Sequence, residues 1–158
     1  MTHTTDIQRV FYAGLTTRWH TNPWLAQTCD RLDGHQGRVA RLILALWPDA
    51  SRDLLIDALT HDDGESVTGD IPATYDKTLE QKAAEVNALV DIWNGGWGDD
   101  FHAFASEDSK RLRLADKLDA YMWAEHHAPA VVLDNGEWSE AWQEIVKLAV
   151  ELGVEDRL

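Results

Sequence analysis

Apolar residues recur at intervals of three and four along nearly the whole chain, and that spacing restricts it to helices. An opening helix is expected from Asp6 to Thr17, with Ile7, Val10, Phe11 and Leu15 apolar. A second runs from His35 to Trp47, where Val39, Leu42, Ile43 and Leu46 share a face and Pro48 ends the run. Ser51 reads as the N-cap of a short helix carrying Leu54, Leu55, Ala58 and Leu59, whose face continues to Asp62. Thr78-Leu79-Glu80-Gln81 is a capping box. It opens a helix with Leu79, Ala83, Val86, Val90 and Trp93 on one stripe. A long helix from Glu107 to His127 stops at Ala128-Pro129. The last one carries Trp138, Ala141, Trp142, Ile145, Leu148, Ala149 and Leu152, with Gly153 as its C-terminal signal. Residues 18–33 are irregular, broken by Asn22-Pro23 and Asp33-Gly34, and residues 94–100 form a glycine-rich break. Only Ala130-Val131-Val132-Leu133 looks strand-like, and it has no partner strand. The expectation is an all-α fold, one domain over residues 1–158, in a compact bundle of about six or seven helices.

Composition narrows what such a bundle can bind. The formal charge is −14. A surface that acidic argues against nucleic-acid polymers, which need a basic footprint, but not against a small nucleotide in a pocket. No apolar run approaches the roughly 18 residues of a membrane span. The N-terminal residues show no basic region followed by an apolar stretch, so no signal peptide is expected. Cys29 is the only cysteine, which fits a reducing cytoplasm. The 8 tryptophans are expected mostly as bulky core filler.

Chemistry concentrates in the run His61-Asp62-Asp63-Gly64-Glu65-Ser66-Val67-Thr68-Gly69-Asp70-Ile71-Pro72. A histidine stands beside a carboxylate, and a second carboxylate comes one helical turn later. His35 lies upstream and Asp116 downstream. Two imidazoles and two carboxylates, with no thiolate, suit a hard or borderline divalent metal such as Mn, Co, Fe, Ni or Zn. Glu65 lies three residues after Asp62 and so projects to the same side. Asp63 reads as facing solvent.

The order His35, His61-Asp62, Asp116 resembles the HD-domain metal phosphohydrolases. The run from His61 to Pro72 is similar to that of bacterial HD-type 5′-deoxynucleotidases and of short phage HD hydrolases that act on deoxynucleoside triphosphates, including dATP. The likeness extends to Arg18-Trp19-His20-Thr21 and to Leu114-Ala115-Asp116-x-Leu118-x-Ala120-Tyr121, and covers roughly residues 8 to 128. It implies one divalent metal ion per subunit on His35, His61, Asp62 and Asp116. It also implies Glu65 as general acid or base, with Asp70 near the sugar or the attacking water. Arg18 would hold phosphate and Trp19 the base or sugar. Where the family shows Pro-x-Pro-x-Lys, this chain has Thr74 for the second proline and Asp76 in the lysine position, and the lysine falls one place late at Lys77, which the resemblance implies as a substrate-binding residue at the phosphates. Lys110, Arg111 and Arg113 are alternative phosphate cations or a solvated face, and His126-His127 reads as a structural pair at a helix end.

The function this implies is hydrolysis of a deoxynucleoside triphosphate, leaning to dATP, to deoxynucleoside and triphosphate. The alternatives are a 5′-deoxynucleotidase releasing phosphate, a cyclic-dinucleotide or alarmone hydrolase, or a non-catalytic nucleotide-binding protein. By analogy a homo-oligomer, dimer or hexamer, is expected, with a deoxynucleotide as the partner and no membrane.

Overall fold

The computed structural model of the chain describes residues 6–69, 77–93 and 106–158. The helices are α1 (Ile7–Gly14), α2 (Leu32–Leu46), α3 (Arg52–Thr60), α4 (Glu65–Thr68), α5 (Leu79–Ile92), α6 (Glu107–His127), α7 (Pro129–Asp134) and α8 (Gly136–Glu151). No strand occurs among the described residues; Thr17 and Arg31 form one isolated antiparallel bridge. The fold is all-α, as the periodicity requires.

Local chemistry explains the helix ends. Asp6 caps α1 by accepting from the amides of Gln8 and Arg9. The Ser51 hydroxyl accepts from the Leu54 amide at the start of α3. At α5 the capping box closes in both directions, with Gln81 N–H donating to Thr78 Oγ1 and Thr78 N–H donating to Gln81 Oε1. Ser106 caps α6, whose acidic first turn and histidine-bearing last turn both complement the helix dipole. Gly153, at a φ of 65°, ends α8: its N–H donates to the Val150 carbonyl and the Val154 N–H donates to Ala149. That left-handed step favours glycine.

The chain divides into two compact units, one of residues 1–36 and 60–101 and one of residues 37–59 and 102–158. The second unit has a continuous apolar core. Val39, Ile43 and Leu46 of α2, Leu54 and Ala58 of α3, Leu114, Ala115 and Leu118 of α6, and Ile145, Leu148 and Ala149 of α8 pack into it. Each fully buried aliphatic side chain contributes about 1.5–3 kcal/mol of transfer free energy before conformational entropy is charged against it. The first unit is built differently. Among its described residues the buried apolar ones are Ala13, Leu25, Leu32, Leu89 and Ile92, and Asp30, His35, Gln36, Thr60, Asp63 and Glu65 are buried as well. Among the described residues the second unit buries one charged or polar group, Asp119. It accepts from Arg38 Nε at 2.6 Å and Nη2 at 3.1 Å.

Four expectations are corrected. The strand-like run at Ala130–Leu133 is helix α7, opened by Pro129 at its first position, where a missing N–H costs nothing. A four-residue apolar run cannot separate strand from helix by periodicity. Helix α1 ends at Gly14 rather than Thr17, and α2 begins at Leu32, which puts His35 inside its first turn. The stripe expected on α5 points outward as far as Val90: Leu79 is 87% exposed, and Val86 and Val90 are exposed too, while Leu89 and Ile92 are buried; only its last residue, Trp93, is partly buried. The tryptophans among the described residues are not mainly core filler. Trp47 is buried, Trp24 is exposed, and Trp19, Trp93, Trp123, Trp138 and Trp142 are partly buried. An indole N–H needs a partner, which favours the edge of a core over its centre.

Candidate metal centre

His35 sits in the first turn of α2, its N–H donating to the Arg31 carbonyl, and its side chain is fully buried. His61 and Asp62 occupy the turn after α3. Asp62 Oδ2 lies 3.2 Å from His35 Nε2 and 3.3 Å from His61 Nε2. The two imidazole rings are 5.4 Å apart between centroids and tilted by 60°. One ligand atom from each of the three residues therefore lies within 4.8 Å of the others. Two ring nitrogens converging on one carboxylate oxygen form a nitrogen- and oxygen-donor group without thiolate. This group could hold a divalent metal ion of the hard or borderline kind. Asp116, the fourth residue expected to join them, is a partly buried residue of α6 in the second unit.

The turn after α3 coils tightly. Asp63 N–H donates to the Thr60 carbonyl at 3.0 Å and Glu65 N–H to the Asp62 carbonyl at 2.9 Å, which starts α4 one turn beyond the ligand pair. Glu65 is buried there. Gly64 is required by a close approach: a Cβ built on it would stand 2.3 Å from the Glu85 carbonyl oxygen of α5. That contact fixes which way α5 faces, and it turns Glu85, Leu89 and Ile92 inward instead of the Leu79–Val90 stripe.

Asp63 corrects a further expectation. It is 3% exposed rather than solvent-facing. Its Oδ1 accepts from Gln36 Nε2 and its Oδ2 from Trp93 Nε1, each at 2.9 Å. Burial pushes its carboxyl above the ordinary value and neighbouring Asp62 adds to that; the two hydrogen bonds and His61 act the other way without cancelling it.

Lys77 reaches this cluster. Its Nζ lies 2.9 Å from Glu65 Oε1 and 2.6 Å from Glu85 Oε1. Partial burial pulls its ammonium pKa down, but the two carboxylates outweigh that and hold it above the ordinary lysine value. A lysine expected on phosphate is thus seated on two carboxylates.

Arg18 and Trp19 meet on one acceptor. Arg18 Nη1 and Trp19 Nε1 each donate to Asp30 Oδ2 at 3.0 Å, and Asp30 is buried. The Arg18 guanidinium also lies over the Trp19 ring, 5.0 Å from its centroid. Arg18 N–H donates to the Asp30 carbonyl at 2.9 Å, so main chain and side chain are held together. Trp19 adopts a φ of 63° and Cys29 a φ of 54°, left-handed conformations that non-glycine residues adopt at a cost of about 1–3 kcal/mol.

The remaining cations expected near phosphate are ion-paired on α6. Lys110 pairs with Glu151, Arg111 with Glu107 and Asp108, and Arg113 with Glu144. Lys117 and Arg113 keep the Glu144 carboxyl below its ordinary value although burial works against them. His127 stacks on Trp123 at 4.1 Å, and Trp123 lies under the Arg38 guanidinium at 4.2 Å. Asp70, Thr74 and Asp76 lie outside the described residues, as does the glycine-rich break at 94–100.

Sequence reasoning missed Asp30, Gln36, Glu85 and Trp93. None of the four carried a readable signal: Trp93 reads as the last residue of the apolar α5 stripe, and the approach of Gly64 to Glu85 is not visible in spacing. No protein-family profile matches the chain, and no curated protein or solved structure does either.

Proposed function

We propose that the protein is a metal-dependent phosphohydrolase of the HD-domain type, acting on deoxynucleotides. The observation that carries this reading is the convergence of His35, His61 and Asp62, with buried Glu65 one turn further along the same segment. In this reading Asp116 is the fourth ligand. A divalent ion held by these residues supplies positive charge that acidifies water and neutralises phosphate oxygens.

The chain's own residues do the rest. Glu65 takes the proton of the attacking water and returns it to the departing 5′ oxygen. The new bond forms between that water oxygen and the phosphorus attached to the 5′ oxygen, and the bond from this phosphorus to the 5′ oxygen breaks. The same bond is cut in a triphosphate and a monophosphate, so the two substrate classes differ only in the length of the phosphate chain released. Lys77, hydrogen-bonded to Glu65 Oε1, orients the accepting carboxylate. Trp19 and Arg18 form the nucleotide platform, with Asp30 holding the edge of the indole and the guanidinium together, so that Trp19 serves the base or sugar and Arg18 the phosphate.

The test is a screen of Mn2+- or Co2+-loaded protein against nucleoside monophosphates, deoxynucleoside monophosphates and deoxynucleoside triphosphates, with products resolved by chromatography. Deoxynucleoside plus triphosphate from a triphosphate, dATP above all, is the expected result. Deoxynucleoside plus phosphate from a monophosphate would move the assignment to a 5′-deoxynucleotidase. Metal binding with no turnover of any substrate would leave a nucleotide-binding protein and overturn the hydrolase. Glu65→Ala is expected to keep the metal and lose turnover.

A further inference from the structure

We propose that Asp63 is a positioning residue for the metal centre, setting His35 against the His61–Asp62 turn through Gln36 and Trp93. The inference rests on the reading that these residues hold a metal.

Gln36 is the chain neighbour of His35, so the bond from Gln36 Nε2 to Asp63 Oδ1 pins the first turn of α2 to the ligand-bearing turn at 2.9 Å. The second oxygen is occupied by Trp93 Nε1, from the residue that caps α5. With a donor on each oxygen the carboxylate cannot rotate about its own bond. The main chain of the same residue is held as well: the Asp63 carbonyl accepts from the Ser66 amide at 3.2 Å and the Ser66 hydroxyl at 2.7 Å. Asp63 therefore acts on the expected ligands through their neighbours. It ties down the residue next to His35 on one side and is itself next to Asp62 on the other.

The chemistry of the residue type supports this role. An ionised carboxylate is acceptor-only, whereas glutamine and tryptophan side chains offer N–H donors. Asp63 accepts from both donors at once. Metal ligands must be placed to within about 0.2 Å, and residues that only orient them typically alter metal affinity or activity about 10–100-fold when replaced.

The experiment titrates Co2+ into the metal-free full-length protein and monitors its visible absorption bands. Asp63→Ala removes both acceptors of the Gln36 and Trp93 bonds. It is expected to weaken Co2+ binding about 10–100-fold and to shift the bands. Trp93→Phe, which removes one donor, is expected to act in the same direction with a smaller loss, and serves as the readout if Asp63→Ala does not fold. Asp63→Asn is the conservative exchange: once the Gln36 amide turns over, its carbonyl accepts from the amide nitrogen introduced at position 63, whose oxygen still accepts from Trp93. Most of the affinity and the original bands are expected to be kept. Folded Asp63→Ala and Trp93→Phe variants with wild-type affinity and bands would overturn the inference alone, as would an Asp63→Asn variant that loses as much as Asp63→Ala. Wild-type protein that gives no Co2+ bands would overturn the metal reading, and the inference with it.

Discussion

A single lysine decides the electrostatics of the acid-rich turn. Without Lys77, Glu65 and Glu85 would face each other across the position its ammonium now fills at 2.9 and 2.6 Å. Lys77→Met should therefore cost about 1–3 kcal/mol in urea unfolding, because the partly buried carboxylates lose their counter-charge. The pH dependence has a definite sign. The folded-state pKa of Lys77 is raised above the unfolded value, so its stabilisation is complete below about pH 10 and disappears as pH rises through the folded value. Urea midpoints across the alkaline range should fall more steeply for wild type than for Lys77→Met; parallel curves would show that the pair contributes nothing. Other residues were less legible. His61, Asp62 and Glu65 stand together in the chain, so their chemistry can be read as a string. Asp63 lies in the middle of that string, and its partners, Gln36 and Trp93, are distant in sequence.

At the scale of elements, one glycine sets the orientation of a whole helix. Glycine-to-alanine changes at ordinary backbone angles commonly stabilise by about 0.4–1 kcal/mol by restricting the unfolded chain. Gly64 should reverse that sign. Its φ of −60° suits any residue, but a Cβ would collide with the Glu85 carbonyl at 2.3 Å. Gly64→Ala is expected to destabilise by about 1–3 kcal/mol in equilibrium unfolding, since main chain rather than a movable side chain must yield. A neutral or stabilising effect would mean that α5 can retreat. The same contact explains why the α5 face was misjudged. Two stripes fit a 3.6-residue period here: Leu79–Ala83–Val86–Val90, and Glu85–Leu89–Ile92. The one with more apolar residues is exposed because a neighbouring backbone, invisible to periodicity, selects the other. The caps, in contrast, were readable from local spacing, since Ser51, Thr78 and Gly153 act within a few residues of themselves.

Across the whole molecule, helical content is dictated by patterning, and the distribution of polar burial is not. The stripes of α2, α3 and α8 supply most of what those helices give to the apolar core of the second unit, although Leu59 is exposed, whereas no stripe marks the α6 contributors Leu114, Ala115 and Leu118. In the first unit, Asp30, Gln36, Asp63 and Glu65 are buried although their residue types belong mostly on surfaces, and each is accommodated by a specific hydrogen-bond partner. No helix among the described residues is long and apolar enough to cross a membrane. The high negative charge adds self-repulsion to any cluster of carboxylates, which makes cations such as Lys77, and any bound divalent ion, more consequential for stability than their number suggests.

That division of interior chemistry sets an order of opening. An apolar core is lost cooperatively, whereas an interior stitched by individual hydrogen bonds can release them over smaller excursions. In the metal-free protein the amides of residues 60–69 and 79–92 should exchange with deuterium sooner than those of residues 112–124 and 143–151. Hydrogen-exchange mass spectrometry can read this directly, and uniform exchange across both sets would contradict it. The segment bearing His61, Asp62 and Glu65 would then be the least rigid part of the native state until something binds there, so that occupancy and local order rise together.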